Sequence, residues 1–437
     1  MRNYDDKEKF VKSFKSKLYR ELTQSGFKFK RKELIPPDLT NKDSLRRAHR
    51  AAREHLLMKN KKWILKNEKR FIDNFAKAED IIPEKIFPEL RLVDTQEEKD
   101  LFRYTSYLWS IPLSNGFGRR LRYLVMDKSN QKLIGLIGLT DPMIGLGVRD
   151  TWIGWSKEQK ENMLWHVMDA YTFGAVPPYN YLLGGKLIAT LMASEQIRKD
   201  FKKKYSHGKS VILHKQHKRR GADLALITTT GAFGKSSILD RLMTFRDEID
   251  DPTYNDVLYD VASGIYKDEG LHNLNKRIND KEYSQIKPLW EQIGFTEGWG
   301  FFHLNNGIAT DLYGYLKAIK DPVVKQHRFG QGANWKMRVI RRGLKQLGLN
   351  YKKYAKHGVQ RGFYAAPLAK NYLQFLNGED SKPKYYNYTT EELFGFFKER
   401  YLLPRATADQ RWKTYERDKN VKLSYMFADL FEKKKEA

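Results

Sequence analysis

Cysteine is absent from the 437 residues. That excludes disulfide staples, thiolate zinc sites and a cysteine nucleophile. No run of about 18 apolar residues occurs, so no segment reads as a membrane-spanning helix. The opening stretch, MRNYDDKEKFVKSFKSK, lacks the apolar core of a secretory signal. These absences predict a cytoplasmic protein without a membrane partner. Acidic residues are in deficit: 53 Asp and Glu face 81 Lys and Arg, a formal net charge of +28. An excess that large predicts a polyanionic partner, with nucleic acid the first candidate and a merely solvated basic surface the rival. Hydrophobic residues at 41% and aromatics at 13% suffice for a packed core, which excludes wholesale disorder. The length allows two or three domains at roughly 150 residues each.

The excess charge is unevenly spread. Residues 44–70 carry ten Lys and Arg against two acids, without Gly or Pro, and read as one helix. Residues 200–220 hold eight basic residues and one acid, including Lys215, Lys218, Arg219 and Arg220. Residues 335–361 hold nine basic residues and no acid. There Met337, Ile340, Leu344 and Leu347 recur at helical spacing, which places Arg338, Arg341, Arg342 and Lys345 largely on the opposite face. With Trp335, Tyr351 and Tyr354 nearby, this is a candidate phosphate-tracking surface. Residues 247–269 reverse the trend with eight acids and one Lys, and about 245–290 reads as an acidic insertion.

The pattern divides the chain into a basic helical region over 1–80, an α/β core over 81–305, and a basic, mostly helical domain over 306–437. Within the core, residues 119–140 read as two strands joined by the turn DKSNQK. A short strand with Trp152 and Trp155 precedes a helix capped by Ser156. Residues 173–178 read as a short strand. Residues 181–205 read as a helix entered through Gly184 and Gly185. Residues 222–230 form a buried strand, and 290–304 a strand, turn and strand. This order predicts a mixed α/β domain.

Three spots bear chemistry. Gly184, Gly185 and Lys186 open a helix after a strand, where backbone N–H groups, the helix dipole and a lysine suit a pyrophosphate; a tight structural turn accounts for the glycines equally well. Gly231 to Ser237 (GAFGKSS) resembles a phosphate-binding loop, but Thr229 stands where that loop requires glycine, which argues against a nucleotide triphosphatase. His207, His214 and His217 lack further ligands at metal spacing, so no metal is predicted. Asp150, Asp240 and His303 sit at ends of core elements, where α/β clefts open, and are the candidate general bases. Each serves as readily as a cap or a strand-end hydrogen bonder.

The segment RLRYLVMD…LIGLIGL…RDTWIGWS resembles the Druantia protein A (DruA) family of bacterial anti-phage systems. The matching positions are Leu121, Arg122, Tyr123, Arg149, Asp150, Ile153, Gly154 and Trp155, with Asp200 and Tyr205 further on. The resemblance covers roughly residues 100–305. It departs after 220, where ITTTGAFGKSSILDRL replaces the family's usual Tyr-Arg-Ala-Ala-Asn-Trp-like helix.

The element order is also similar to the GNAT acyltransferase fold: a hairpin, a splayed strand, a Gly-containing turn, a helix, a strand and helix, and a strand opening on Gly-Phe. Gly184, Gly185 and Lys186 fall at that fold's coenzyme A turn, and Ile293, Gly294 and Phe295 at its last signature. The Mom DNA-modification proteins share this predicted order. The resemblance implies a GNAT-like central sheet with helices on both faces, flanked by basic helical regions. It implies an acyl-CoA or related donor and transfer to a DNA base, with oxyanion donors around Thr228–Thr230. Two alternatives stand beside it: a non-catalytic DNA-binding component of a defence or mobile-element system, with defence or phage proteins as partners, and an RNA-modifying protein.

Overall fold

A computed structural model describes residues 2–24, 26–31, 33–35, 42–111, 113, 116, 118–206, 223–231, 238–239, 291–296, 306–325, 333–349 and 361–432. The acidic insertion expected at 245–290 lies outside them.

The centre is a mixed sheet of β1 (Pro88–Leu92), β2 (Arg120–Asp127), β3 (Lys132–Thr140), β4 (Val167–Ala175), β5 (Leu226–Thr230), β6 (Glu291–Thr296) and β7 (Arg361–Pro367), in the order β1-β2-β3-β4-β5-β7-β6. Neighbours run antiparallel except β4 and β5, which are parallel. The β2–β3 hairpin forms because its turn residues satisfy their own backbone. Asp127 Oδ1 accepts from the Ser129 N–H at 3.0 Å, and Asn130 Oδ1 from the Lys132 N–H at 2.9 Å.

The parallel ladder is short. Val167, Met168 and Asp169 pair with Leu226, Ile227 and Thr228. Beyond that point β4 continues on β3 as far as Ala175, while β5 follows β7. The two strands therefore fork at Asp169 and Thr228.

Alternate residues face opposite sides of the sheet. One side bears Leu121, Tyr123, Ile137, Leu139, Met168 and Ala170. It is covered by α6 (Gly184–Leu191), α7 (Glu195–Tyr205) and the helix Thr390–Phe397. The other side is covered in two parts. Over β2 and β3, Leu124, Met126, Leu133 and Leu136 meet α2 (Lys42–Phe71) and α3 (Gln96–Ser106). Over β4, β5 and β7, Val167, Leu226, Phe363 and Ala365 meet α4 (Gly147–Ile153) and the helix Tyr372–Leu376. Between the two covers runs a polar strip.

Several local expectations change. Trp152 lies in α4, not in a strand. The helix expected over 181–205 is a 3-10 turn (Tyr179–Leu182), α6 and α7, broken at Ser194, where the Glu195 N–H donates to the Tyr388 carbonyl at 2.7 Å. The expected boundary after 305 is crossed by the sheet: Arg361–Pro367 inserts between β5 and β6. A separate core joins Phe14, Leu18 and Leu22 of α1 (Arg2–Gln24) to Leu312 and Leu316 of α8 (Asn306–Ala318) and to Val339 and Leu344 of α9 (Ala333–Gln346).

Candidate functional site

The Arg149-Asp150 pair is built as a brace. Arg149 is wholly buried, and its guanidinium meets Asp150 Oδ1 at 2.5 and 2.9 Å. Burial lowers the Arg149 pKa, against the pull of Asp150. Asp150 Oδ2 accepts from Lys160 Nζ at 3.1 Å and from the Leu146 N–H at 3.3 Å. Both carboxylate oxygens are thus engaged by cations, leaving Asp150 poorly placed to take a proton from a substrate. The rest of the motif anchors the helix Tyr372–Leu376. Trp155 Nε1 donates to the Leu376 carbonyl at 2.7 Å, and Trp152 stacks on Tyr372 at 5.6 Å.

The Gly184–Lys186 turn is filled by the chain itself. A Cβ on Gly184 would lie 2.6 Å from the Tyr179 carbonyl oxygen and 2.7 Å from the Ala175 side chain. One on Gly185 would lie 3.1 Å from Ile238. Lys186 is buried, and its Nζ donates to the Ile238 carbonyl at 3.0 Å. A small pocket behind the turn is lined by Ile86, Ile134, Leu182, Leu187, Phe397 and Leu402, with no charged group. These residues do not fit a pyrophosphate as they stand, because the faces that would approach it already meet protein.

The polar strip is a second arrangement, with Thr140, Thr172 and Thr228 buried and Arg120, Arg122 and Asp169 half-buried. Arg120 of β2, Thr140 of β3, Asp169 of β4 and Thr228 of β5 are register partners in one row. Directly opposed residues point to the same face, so all four share it. Asp169 is half-buried at the fork, and its Oδ1 accepts from Thr228 Oγ1 at 3.0 Å. Burial pushes its carboxyl up to about 6, against the Thr228 hydroxyl and the Arg149 charge, which both favour the anion.

A bulge at Gly138 places both Tyr171 and Thr172 on the same side. The Tyr171 ring lies over Gly138, where a Cβ would come within 2.7 Å of it. Burial raises the Tyr171 hydroxyl, opposed by the charges of Arg122 and Arg120. Arg120 and Arg122 are half-buried, without a carboxylate ion pair among the described residues. The Nε of each, and the Thr172 hydroxyl, are buried without hydrogen-bond partners. The strip thus carries a carboxyl shifted toward neutrality on β4 and, two strands away on β2, two half-buried guanidinium groups, of which Arg120 Nη2 donates to the Gly116 carbonyl at 3.1 Å.

Among the other expected residues, Arg338 and Arg341 are exposed on α9. Arg342 instead pairs with buried Asp321 at 2.8 Å, so it ties α9 to the turn that follows α8. Asp240, His303, Lys215, Lys218, Arg219 and Arg220 lie outside the described residues, as does the Trp335 side chain. Sequence reasoning misses Asp169, Tyr171 and Arg120, and names Arg122 only as a position of the family resemblance. The available signal is an aspartate inside an otherwise apolar strand, VMDAYTF. A second basic face is Lys59, Lys62, Lys66 and Lys69 of α2, exposed at helical spacing. Among the described residues no three metal-ligating side chains come together, and no helix is long and apolar enough to cross a membrane.

The family described as Druantia protein DruA matches residues 39–378, a span holding every strand of the sheet. The Druantia protein DruA of Escherichia coli (strain UMEA 4076-1) is 34% identical over 403 residues, covering 92% of this chain and 89% of that relative. No solved structure matches.

Proposed function

Because the chain belongs to the DruA family, we propose that it acts in the conflict between bacterium and phage, as a transferase that modifies a DNA base at the β4–β5 fork. The observation that carries this reading is Asp169, a half-buried carboxyl held by Thr228 where the two strands part. In this reading the exocyclic amine of a base forms its new N–C bond to the acyl carbon of an acyl thioester or related donor, whose bond to its leaving group breaks as that group departs with the bonding pair. One amine proton passes to the Asp169 carboxylate, which Thr228 holds in place and which then returns it to the departing thiolate. Arg120 and Arg122, two strands away on the same side, hold the nucleotide's phosphate.

The element order supports a GNAT-like core: hairpin β2–β3, splayed β4, a Gly-containing turn, α6 and then β5. The turn itself does not fit coenzyme A in this conformation, so the chemistry assigned here is that of the acceptor side. The exposed row on α2 and Arg341 on α9 supply phosphate contacts outside the sheet.

The test is the purified chain on duplex DNA with a cell extract as the source of donor. Formation of a mass-shifted nucleoside is expected to rise with pH through about 6 and level off above it, since the base works as the anion. No mass shift at any pH would remove the transferase. A second reading is favoured by the filled Gly184–Lys186 turn: a DNA-binding component without catalysis. It expects salt-dependent DNA binding and no altered nucleoside.

A further inference from the structure

The loop 141–146 leaves β3 at Thr140, the register partner of Asp169. Its tip carries Met143 and Ile144, 46% and 55% exposed. Single exposed apolar residues are ordinary; here two large neighbours share one loop tip. The tip is also held firmly. Arg149 Nη1 donates to the Met143 carbonyl at 2.9 Å, and Nη2 to the Ile144 carbonyl at 3.5 Å. At the base of the loop, Asp141 accepts from the Arg119 N–H at 2.9 Å and from its Nε at 2.6 Å. At the far end the Leu146 N–H reaches Asp150. Burying a guanidinium costs several kcal/mol unless it is paired and hydrogen-bonded. Here the buried Arg149 holds by their backbones two side chains that the fold leaves in water.

The loop leaves the sheet at the register partner of Asp169, and the guanidinium that holds its tip also acts electrostatically on Asp169. A base inside a duplex cannot reach a carboxyl set in a sheet; it must first leave its stack. Proteins that unstack DNA do so by inserting apolar side chains between base steps. A rigid apolar tip beside a proton acceptor, on a chain of net charge +28, matches that chemistry.

We propose that Met143 and Ile144 form a wedge that enters the base stack of duplex DNA and frees the nucleotide presented at the fork. The inference rests on the reading that the chain acts on DNA. The occupant is a base step, and a protein partner on the same tip is the competing outcome.

The test uses the full chain and a duplex carrying 2-aminopurine, whose fluorescence rises when it unstacks. The native chain is expected to bind the duplex and raise the fluorescence several-fold. The Met143→Ser/Ile144→Ser variant is expected to bind within about twofold, because phosphate contacts carry most of the affinity, and to lose the rise. Both side chains are about half exposed and the loop is held through its backbone, so thermal melting is expected to change little. Duplex binding without a rise by the native chain overturns the wedge and leaves the DNA reading standing. An equal rise by the variant also overturns it, and if that variant has lost phage protection the tip belongs to a protein partner. Absence of any duplex binding overturns the DNA reading, and the wedge with it.

Discussion

Asp150 and Asp169 carry the same group and do opposite things. Asp150 is held on both oxygens by Arg149 and Lys160, and it keeps a buried guanidinium neutralised. Asp150→Asn would leave Arg149 buried without its charge partner. The expected cost is about 3–5 kcal/mol, read by denaturant unfolding. Asp169 lies in a position where its own charge is costly. The folded chain holds the Asp169 proton more tightly than the unfolded chain does, since its pKa is about 6 against an ordinary carboxylate. Its favourable contribution is therefore complete below the unfolded value and is lost as pH rises through about 6. Asp169→Asn is expected to melt higher than the native chain at pH 8, by about 1–3 kcal/mol in stability, and to lose that advantage near pH 4. Thermal melts at both pH values check this. Sequence patterning points to Asp150, because it sits in a recognisable motif at an element end. Asp169 is hidden by its neighbours: only the pairing of β4 with β5 reveals that its strand loses a partner there.

Elements show where local rules suffice and where packing overrides them. Ser156 caps its helix as expected, with a reciprocal box to Gln159. The β2–β3 hairpin also follows from its turn residues. Trp152 reads as strand because the run TWIGW is short, apolar and rich in aromatic and β-branched residues, while the fold winds it into a short helix over Tyr372. Gly184 and Gly185 form a true turn for a different reason. They admit neighbouring atoms, and the approach is so close that Gly184→Ala is expected to destabilise by about 1–3 kcal/mol through overpacking. Unfolding measurements test this, and an unchanged midpoint would mean the space is open to a ligand. β7 is not legible in the sequence, because its place between β5 and β6 depends on pairings more than 60 residues apart.

At the scale of the molecule, the charge excess resolves into groups with different duties. Arg53 spends its guanidinium on the Leu108 carbonyl and the Phe427 ring, and Arg342 on Asp321. Lys59, Lys62, Lys66 and Lys69 remain exposed along one helix face, without an ion pair among the described residues. If that face tracks phosphates, replacing all four by Gln lowers the slope of log affinity against log salt by about 0.9 for each phosphate no longer neutralised. A solvated face gives an unchanged slope. Arg342→Gln is expected to act mainly on melting temperature. Basic segments are plain in the sequence, but which cations are already engaged is not, because their partners come from distant parts of the chain.

The most direct measurement is nucleoside mass spectrometry of DNA from cells carrying the native chain, the Asp169→Asn variant or neither. A mass-shifted nucleoside is expected with the native chain alone, while the variant accumulates folded and no less stable. Identical nucleosides in all three, or a shift that persists in the variant, would contradict a base-modifying site at the fork.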